Sequence, residues 1–401
     1  MVEIQRELYL RQLERFAESP VVTVVVGLRR VGKSVLLRQL CRRLEGHASV
    51  VYVDKENLAF GDIRSGDDLF AYVDEHRRGG ATYVVIDEVQ QIEGWERAVA
   101  SLNGRNSTQV IVSGSNSNLL GGELATQLAG RYVTLRVLPL SLGEFARLFE
   151  LTQERSLSGP ELLELYRDLG GLPGVLHTDL SEDVVAQMQR DVYHTIALRD
   201  VVSRHRIRDI DTFEAVTRFA MDNVGNLVSA KRISDFMKSA HRSGSPDTVL
   251  NYLSYLAGAY VLDRVDRYDI RGKRLLEINA KYYLGDLGLR SGLMGARPRW
   301  IAGDLENLIY HELLRRGYRV SVGVQGDREI DFVAERREGR VYIQVAYLLE
   351  SRETLEREIR PLLAVKDGYP KYVISMDPVE PGELEGIRHV RLMDFCKGQQ
   401  L

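Results

Sequence analysis

Cysteine is almost absent from this chain: it occurs twice, at Cys41 and Cys396, far apart in sequence. No disulfide framework and no Cys-x-x-Cys metal knuckle can be built from two such residues, and the scarcity fits a reducing, cytoplasmic setting. Long apolar runs are missing too. No window reaches the roughly eighteen uninterrupted apolar residues of a membrane span, so no membrane partner is expected. The opening "MVEIQRELYLRQLERFAESP" carries acids among its bases and has no apolar core run, unlike a secretory signal. A surplus of one charge is also lacking. The formal net charge is −3, so any nucleic-acid surface must be a local patch. There is no internal repeat and no low-complexity segment.

What is present is a globular composition, 44% hydrophobic and 28% charged. The 401 residues exceed one ordinary core and point to roughly two to four domains. Residues 3–18 read as an amphipathic helix ending at Ser19-Pro20. Five β-branched runs follow, "VVTVVV", "VVYVD", "YVVID", "VIVSGS" and "YVTLRV", separated by helical stretches. Apolar strands alternating with helices indicate a parallel sheet covered on both faces. After Pro139, residues 141–203 read as helical with one interruption at "GGLPG".

Between the first strand and its helix, Gly27, Gly32, Lys33 and Ser34 match G-x4-G-K-S. Glycines at those places let backbone N–H groups curl around a β-phosphate, and the helix start adds its positive dipole end. Leu28, Arg29, Arg30, Val31 and Val35 complete the expected nucleotide loop. Lys33 would meet the β- and γ-phosphates of ATP, and the Ser34 hydroxyl would ligate Mg²⁺. "YVVIDE" ends a strand in two acids: Asp87 suits the Mg²⁺ shell, and Glu88 suits orienting and deprotonating water.

In an ATPase of the AAA+ kind, "VIVSGS" should lie between the two motif strands, with Ser115 or Asn116 near the attacking water or the γ-phosphate. The next helix, "LLGGELATQLAG", runs into Arg131. That is where such ATPases place an arginine that reaches a neighbouring subunit's nucleotide. The other reading of Arg131 is a helix-end cation on its own C-terminal dipole.

"GLRRVGKS", "VIDEVQ", "SGSNSNLL", "LAGRYVTLRVLPLSLGEF" and "GGLPG" together resemble the AAA-type P-loop ATPases of bacteria and archaea whose C-terminal half is a domain of undescribed function. The resemblance spans nearly the whole chain. It implies an α/β nucleotide-binding core over 1–138 and a helical lid over 139–205. Within the lid, Gly171-Leu172-Pro173 would pack on adenine, or serve only as a helix break. An arginine acting in trans would make the protein an oligomer, such as a ring.

Residues 206–298 carry three helical patterns and the hairpin "RVDRYDIRGKRLLEI", the parts of a winged helix-turn-helix. Ser245 and Pro246 open the third helix. Residues 226–277 hold nine Lys/Arg against six Asp/Glu. Asn251, Arg271, Lys273 and Arg274 are the candidate DNA contacts; a protein-docking module is the competing use. Residues 299–401 follow the helix–strand–strand–strand–helix–strand order of PD-(D/E)xK, restriction-endonuclease-like folds. Glu306 or Glu312, Asp331 and Gln344 occupy the acid positions, and Ala346 stands where a lysine is needed. A neutral ligand and a missing cation predict a degenerate site, unless a lysine such as Lys371 has moved into it. The whole reads as a Mg²⁺-dependent ATPase acting on DNA, with an ATP-driven regulatory switch and an ATP-controlled nuclease as rivals.

Overall fold

A computed structural model describes the chain except for residues 1, 106, 121, 122, 129, 240, 241, 243, 296–300, 350, 351, 378–381 and 400. Residues 118, 120, 123–125, 277, 278 and 352 are described by their backbone alone. The expected helix before Arg131 thus includes three positions, Gly121, Gly122 and Ala129, that lie outside the described residues. The chain forms two compact units. The first holds Met1–Pro139, Leu172–His177 and Gly258–Tyr260; the second holds Leu140–Gly171, Thr178–Ala257 and Val261–Leu401.

The first unit runs α1 (Glu7–Ala17), β1 (Val22–Val26), α2 (Lys33–Leu44), β2 (Ser49–Asp54), α3 (Gly66–His76), β3 (Thr82–Asp87), α4 (Trp95–Asn103), β4 (Thr108–Gly114), α5 (Glu123–Leu128) and β5 (Tyr132–Arg136). Its sheet has the order β2-β3-β4-β1-β5, and every pairing is parallel. The β4 strand therefore lies between the two motif strands, as expected of an AAA-type core. All five residues of β1 are buried, so "VTVVV" satisfies a strand covered on both faces. The edge strands β2 and β5 are only partly buried. The first helix starts later than its periodicity predicts, at Glu7. Just ahead of it, Ile4 and Arg6 are buried in tertiary contacts.

The second unit begins with α6 (Leu142–Gln153), α7 (Gly159–Leu169) and α8 (Glu182–Thr195). The run after Pro139 has a second interruption that the sequence reading missed. Glu154 turns left-handed at φ +53°, and Ser158 starts a new helix through a capping box with Glu161. Next come α9 (Ile210–Asp222), β6 (Leu227–Val228), α10 (Ala230–Ser239) and α11 (Pro246–Gly258). The start of α11 is capped by Ser245 Oγ, which accepts from Thr248 N at 3.1 Å. The remainder is β7 (Leu262–Asp269), β8 (Arg274–Leu284), α12 (Leu287–Met294), α13 (Ile301–Arg315), β9 (Arg319–Gln325), β10 (Arg328–Arg336), β11 (Gly339–Val345), α14 (Arg352–Ala364), β12 (Lys371–Ser375), β13 (Glu383–Leu384), β14 (Ile387–Arg391) and α15 (Leu392–Cys396).

These strands form one sheet among the described residues, ordered β13-β14-β12-β11-β10-β9-β7-β8-β6. The hairpin read as a wing is therefore not a free ribbon. Its β7 strand pairs in parallel with β9 at Arg267↔Val322, Tyr268↔Gly323 and Asp269↔Val324. Main-chain hydrogen bonds that a projecting wing would leave to water or to a partner are used here to continue the sheet. The α14 helix packs on this sheet through Ile359 and Leu362, against Ile330, Val333, Tyr342 and Val373.

Candidate nucleotide site

The turn after β1 is built by two glycines in backbone regions closed to other residues. Gly27 has φ +147°, and a Cβ there would run into the Val137 carbonyl oxygen. Gly32 has φ +96° and is the N-cap of α2, so the first turn's N–H groups receive no side-chain cap. Lys33 is buried, and its ammonium folds back to donate to Gly27 O (3.1 Å) and Leu28 O (3.2 Å). Leu28 and Val31 are buried and Arg30 is exposed, while Arg29, Ser34 and Val35 are partly buried. Arg29 reaches Glu56 at 3.8 Å.

The two acids at the end of β3 are held differently. Asp87 is 1% exposed; it accepts from Ser113 Oγ on β4 and from Tyr52 OH on β2 at 3.3 Å. Glu88 stands in the left-handed region at φ +53°, rare for a side chain with a Cβ. Its N–H donates to Ser113 Oγ at 3.1 Å. Its carboxylate accepts from Gln90 Nε2 at 2.5 Å and from Ser115 Oγ at 3.5 Å. Burial raises the Glu88 pKa; the Lys33 ammonium and the Gln90 hydrogen bond work against the rise.

The first unit thus brings together Lys33, Asp87, Glu88 and Ser115, with Asn116 buried next in sequence. Pro173 belongs to the same unit, and its Cγ lies 3.7 Å from where a Gly32 Cβ would be, so the Gly-Leu-Pro segment lies against the loop. Arg131 is exposed, and its Nε donates to Leu128 O at 3.3 Å, the end of its own helix.

Three residues of this site were not singled out from the sequence. Ser113 and Tyr52 fix Asp87. Arg6, 5% exposed, donates to Val31 O (3.3 Å), Leu138 O (3.0 Å) and Pro139 O (3.1 Å). The pattern of buried acids, a loop-bound lysine and an uncapped helix start fits a triphosphate with its cation. Phosphate oxygens can replace the carbonyls that now hold Lys33, and the helix start offers N–H groups to an anion.

In the second unit Asn251, Arg271, Lys273 and Arg274 are all exposed. Asp269 Oδ1 accepts from the N–H groups of Arg271 and Gly272, shaping the hairpin turn. Of the candidate acids, Glu306, Asp331 and Gln344 come together. Asp331 N donates to Gln344 Oε1 at 3.4 Å, and Lys281 joins Glu306 to Asp331. Glu312 is instead paired with Arg315 at 2.6 Å. The lysine suggested as relocated, Lys371, is elsewhere: it donates to Val365 O at 2.8 Å because β12 turns it toward the end of α14. Lys281, between alanine and two tyrosines in "NAKYYL", was overlooked; a charge inside an apolar strand was the available signal.

Residues 19–146 match the AAA domain family, and residues 160–299 match a domain of unknown function (DUF8612). An uncharacterized protein of Haemophilus influenzae is 36% identical over 398 residues, covering 98% of each chain. One from Methanocaldococcus jannaschii is 27% identical over 362 residues, covering 86% of this chain and 79% of that one. Among solved structures, the Walker-type ATPase PABY2304 of Pyrococcus abyssi covers 73% of this chain and 96% of its own at 16% identity and a TM-score of 0.51, a likeness of fold. No helix among the described residues is long and apolar enough to cross a membrane. The chain is a member of the family that includes the H. influenzae protein, and its N-terminal part is an AAA-type P-loop ATPase domain.

Proposed function

We propose that the protein hydrolyses ATP with Mg²⁺ and couples the cycle to binding or remodelling DNA, branched or recombining DNA included. One observation carries the ATPase reading: Lys33 after β1, and Asp87 and Glu88 at the end of β3, come together at the end of the sheet where these strands flank β4, with both acids buried. In this reading the residues from Gly27 to Val35 wrap the phosphates and Pro173 borders the base. Lys33 leaves the carbonyls of Gly27 and Leu28 for the β- and γ-phosphates. Bound Mg²⁺, held through Ser34 and Asp87, would neutralise charge between those phosphates. Glu88 takes the proton of the attacking water, and Ser115 and Asn116 help to fix that water's position. A raised pKa makes Glu88 a stronger base than an exposed glutamate. Arg131, exposed at a helix end, is free to serve a neighbouring copy's nucleotide, so assembly into an oligomer such as a ring belongs to the proposal.

The DNA half of the proposal is supported by the exposed Arg271, Lys273 and Arg274 at the hairpin tip. A second reading, an ATP-controlled switch with a protein-docking surface, is favoured by the hairpin's incorporation into the large sheet, which leaves only its turn to enter a groove.

The test separates binding from turnover. Lys33→Ala should weaken ATP binding, whereas Glu88→Gln should bind ATP and lose about 10²–10⁴-fold in turnover, the range for a general base. A Gln variant hydrolysing at the wild-type rate would remove Glu88 from its role.

A further inference from the structure

The second unit buries a cation that the nucleotide chemistry does not use. Lys281 on β8 is 2% exposed. Its ammonium lies 3.0 Å from Glu306 Oε2 on α13, and 2.9 Å and 3.1 Å from Glu329 Oε1 and Asp331 Oδ1 on β10. Three acceptors match the three N–H donors of an ammonium. Tyr283 OH donates to Glu306 Oε2 at 2.8 Å, and Val345 N donates to Asp331 Oδ2 at 2.9 Å. Burial opposes the charge on Lys281, but Asp331, Glu306 and Glu329 outweigh it and hold the ammonium above its ordinary range. Burial, with help from Asp331, pushes Glu306 up to about 8, against the pull of Lys281 and Tyr283.

Glu306, Asp331 and Gln344 are the positions at which a nuclease-like fold would hold Mg²⁺. They do not fit that ion here. Mg²⁺ needs oxygen ligands at about 2.0–2.1 Å in a near-octahedral shell, whereas the oxygens of Glu306 and Asp331 surround an ammonium at hydrogen-bond distance. Gln344 Oε1 faces the Asp331 N–H, and Gln344 Nε2 reaches Glu358 Oε2 at 3.4 Å. With Lys281 in place, no group of three His, Cys, Asp or Glu side chains among the described residues is arranged to hold a metal. The ammonium lies within 3.1 Å of an oxygen of each of Glu306, Glu329 and Asp331, so it fills the position between them that a divalent ion would take.

We infer that Lys281 is a resident ammonium that takes the place of a divalent ion in this pocket, tying β8, α13 and β10 together without metal. This goes beyond the ATPase proposal and stands or falls separately. Mn²⁺ binding to nucleotide-free, full-length protein, followed by the loss of free-Mn²⁺ paramagnetic signal, tests it. Wild type and Asp331→Asn should take up the same Mn²⁺, because the pocket holds none. Lys281→Met leaves three carboxyl groups without a cation and, as the metal displaces any bound proton, should gain about one Mn²⁺ per chain, lost again in the Lys281→Met/Asp331→Asn double variant. Mn²⁺ should also raise the melting temperature of Lys281→Met and not that of the double variant. Wild-type uptake abolished by Asp331→Asn would overturn the inference, as would a folded Lys281→Met protein that gains no site. If Lys281→Met does not fold, the comparison of wild type with Asp331→Asn decides: equal uptake supports the inference, and unequal uptake overturns it.

Discussion

Replacing Arg6 with methionine should loosen the first unit and its nucleotide loop together. The guanidinium donates to the carbonyls of Val31, Leu138 and Pro139 at 3.0–3.3 Å and lies 4.5 Å over the Tyr9 ring. Tyr9 OH in turn accepts from Leu138 N at 3.1 Å, so helix α1 and the chain after β5 are joined at two points. A hydrogen bond from a charged donor contributes about 1.5–3 kcal/mol net, and leaving a buried carbonyl unpaired costs about 1–3 kcal/mol. The bonds share one donor group, and removing the cation also removes its desolvation cost, so the terms do not add. Methionine keeps most of the apolar stem, which limits the cavity contribution. The expected loss is roughly 3 kcal/mol, the scale of breaking a buried polar network. Urea unfolding followed by far-UV circular dichroism should show an earlier first transition. Because Val31 belongs to the phosphate loop, ATP affinity should fall about tenfold or more, equivalent to at least about 1.4 kcal/mol. Arg6→Lys keeps the charge but not the fork and should fall between the two. An Arg6→Met protein with unchanged unfolding midpoint and ATP affinity would refute this reasoning.

Two further outcomes follow from the site. Glu88 must be ionised to act as a base, and burial raises its pKa, so protonation begins at a higher pH than for an exposed glutamate. Turnover at saturating ATP should therefore be present above that raised pKa and be lost as pH falls through it, with a midpoint above the ordinary 4.5; a rate flat down to the ordinary glutamate range would contradict this. If Arg131 acts across a subunit boundary, mixing Arg131→Ala with Lys33→Ala protein should restore part of the activity lost in each alone. A monomer that is fully active with ATP under all conditions would rule that out.

The parts legible in the sequence were those whose cause is local. The β1 and β3 runs are apolar because both faces of the central strands are buried, and the Gly27–Ser34 loop declares itself because its backbone geometry demands glycine. What stayed hidden depends on distant partners. Arg6 reads as one base in an amphipathic helix, since its acceptors are main-chain carbonyls 25 to 133 positions away. Lys281 finds Glu306 and Asp331 at separations of 25 and 50 residues, and neither acid predicts which lysine will meet it. The hairpin has the sequence of a wing; the pairing of Arg267–Asp269 with Val322–Val324 joins it to a larger sheet. The break at Glu154–Ser158 carried a local signal, Ser158-Gly-Pro-Glu161, obscured by the apolar periodicity on either side.

The coupling of ATP to DNA is tested most directly by the steady-state ATPase rate with and without duplex, single-stranded and four-way-junction DNA. At least one of these should raise the rate, and the effect should weaken steeply with salt because phosphate contacts release counterions. Changing Arg271, Lys273 and Arg274 together to alanine should remove the stimulation and leave the DNA-free rate as it was. A rate that no DNA alters at low salt, in protein that turns over ATP, would contradict the coupling and leave the protein-docking switch as the reading to pursue.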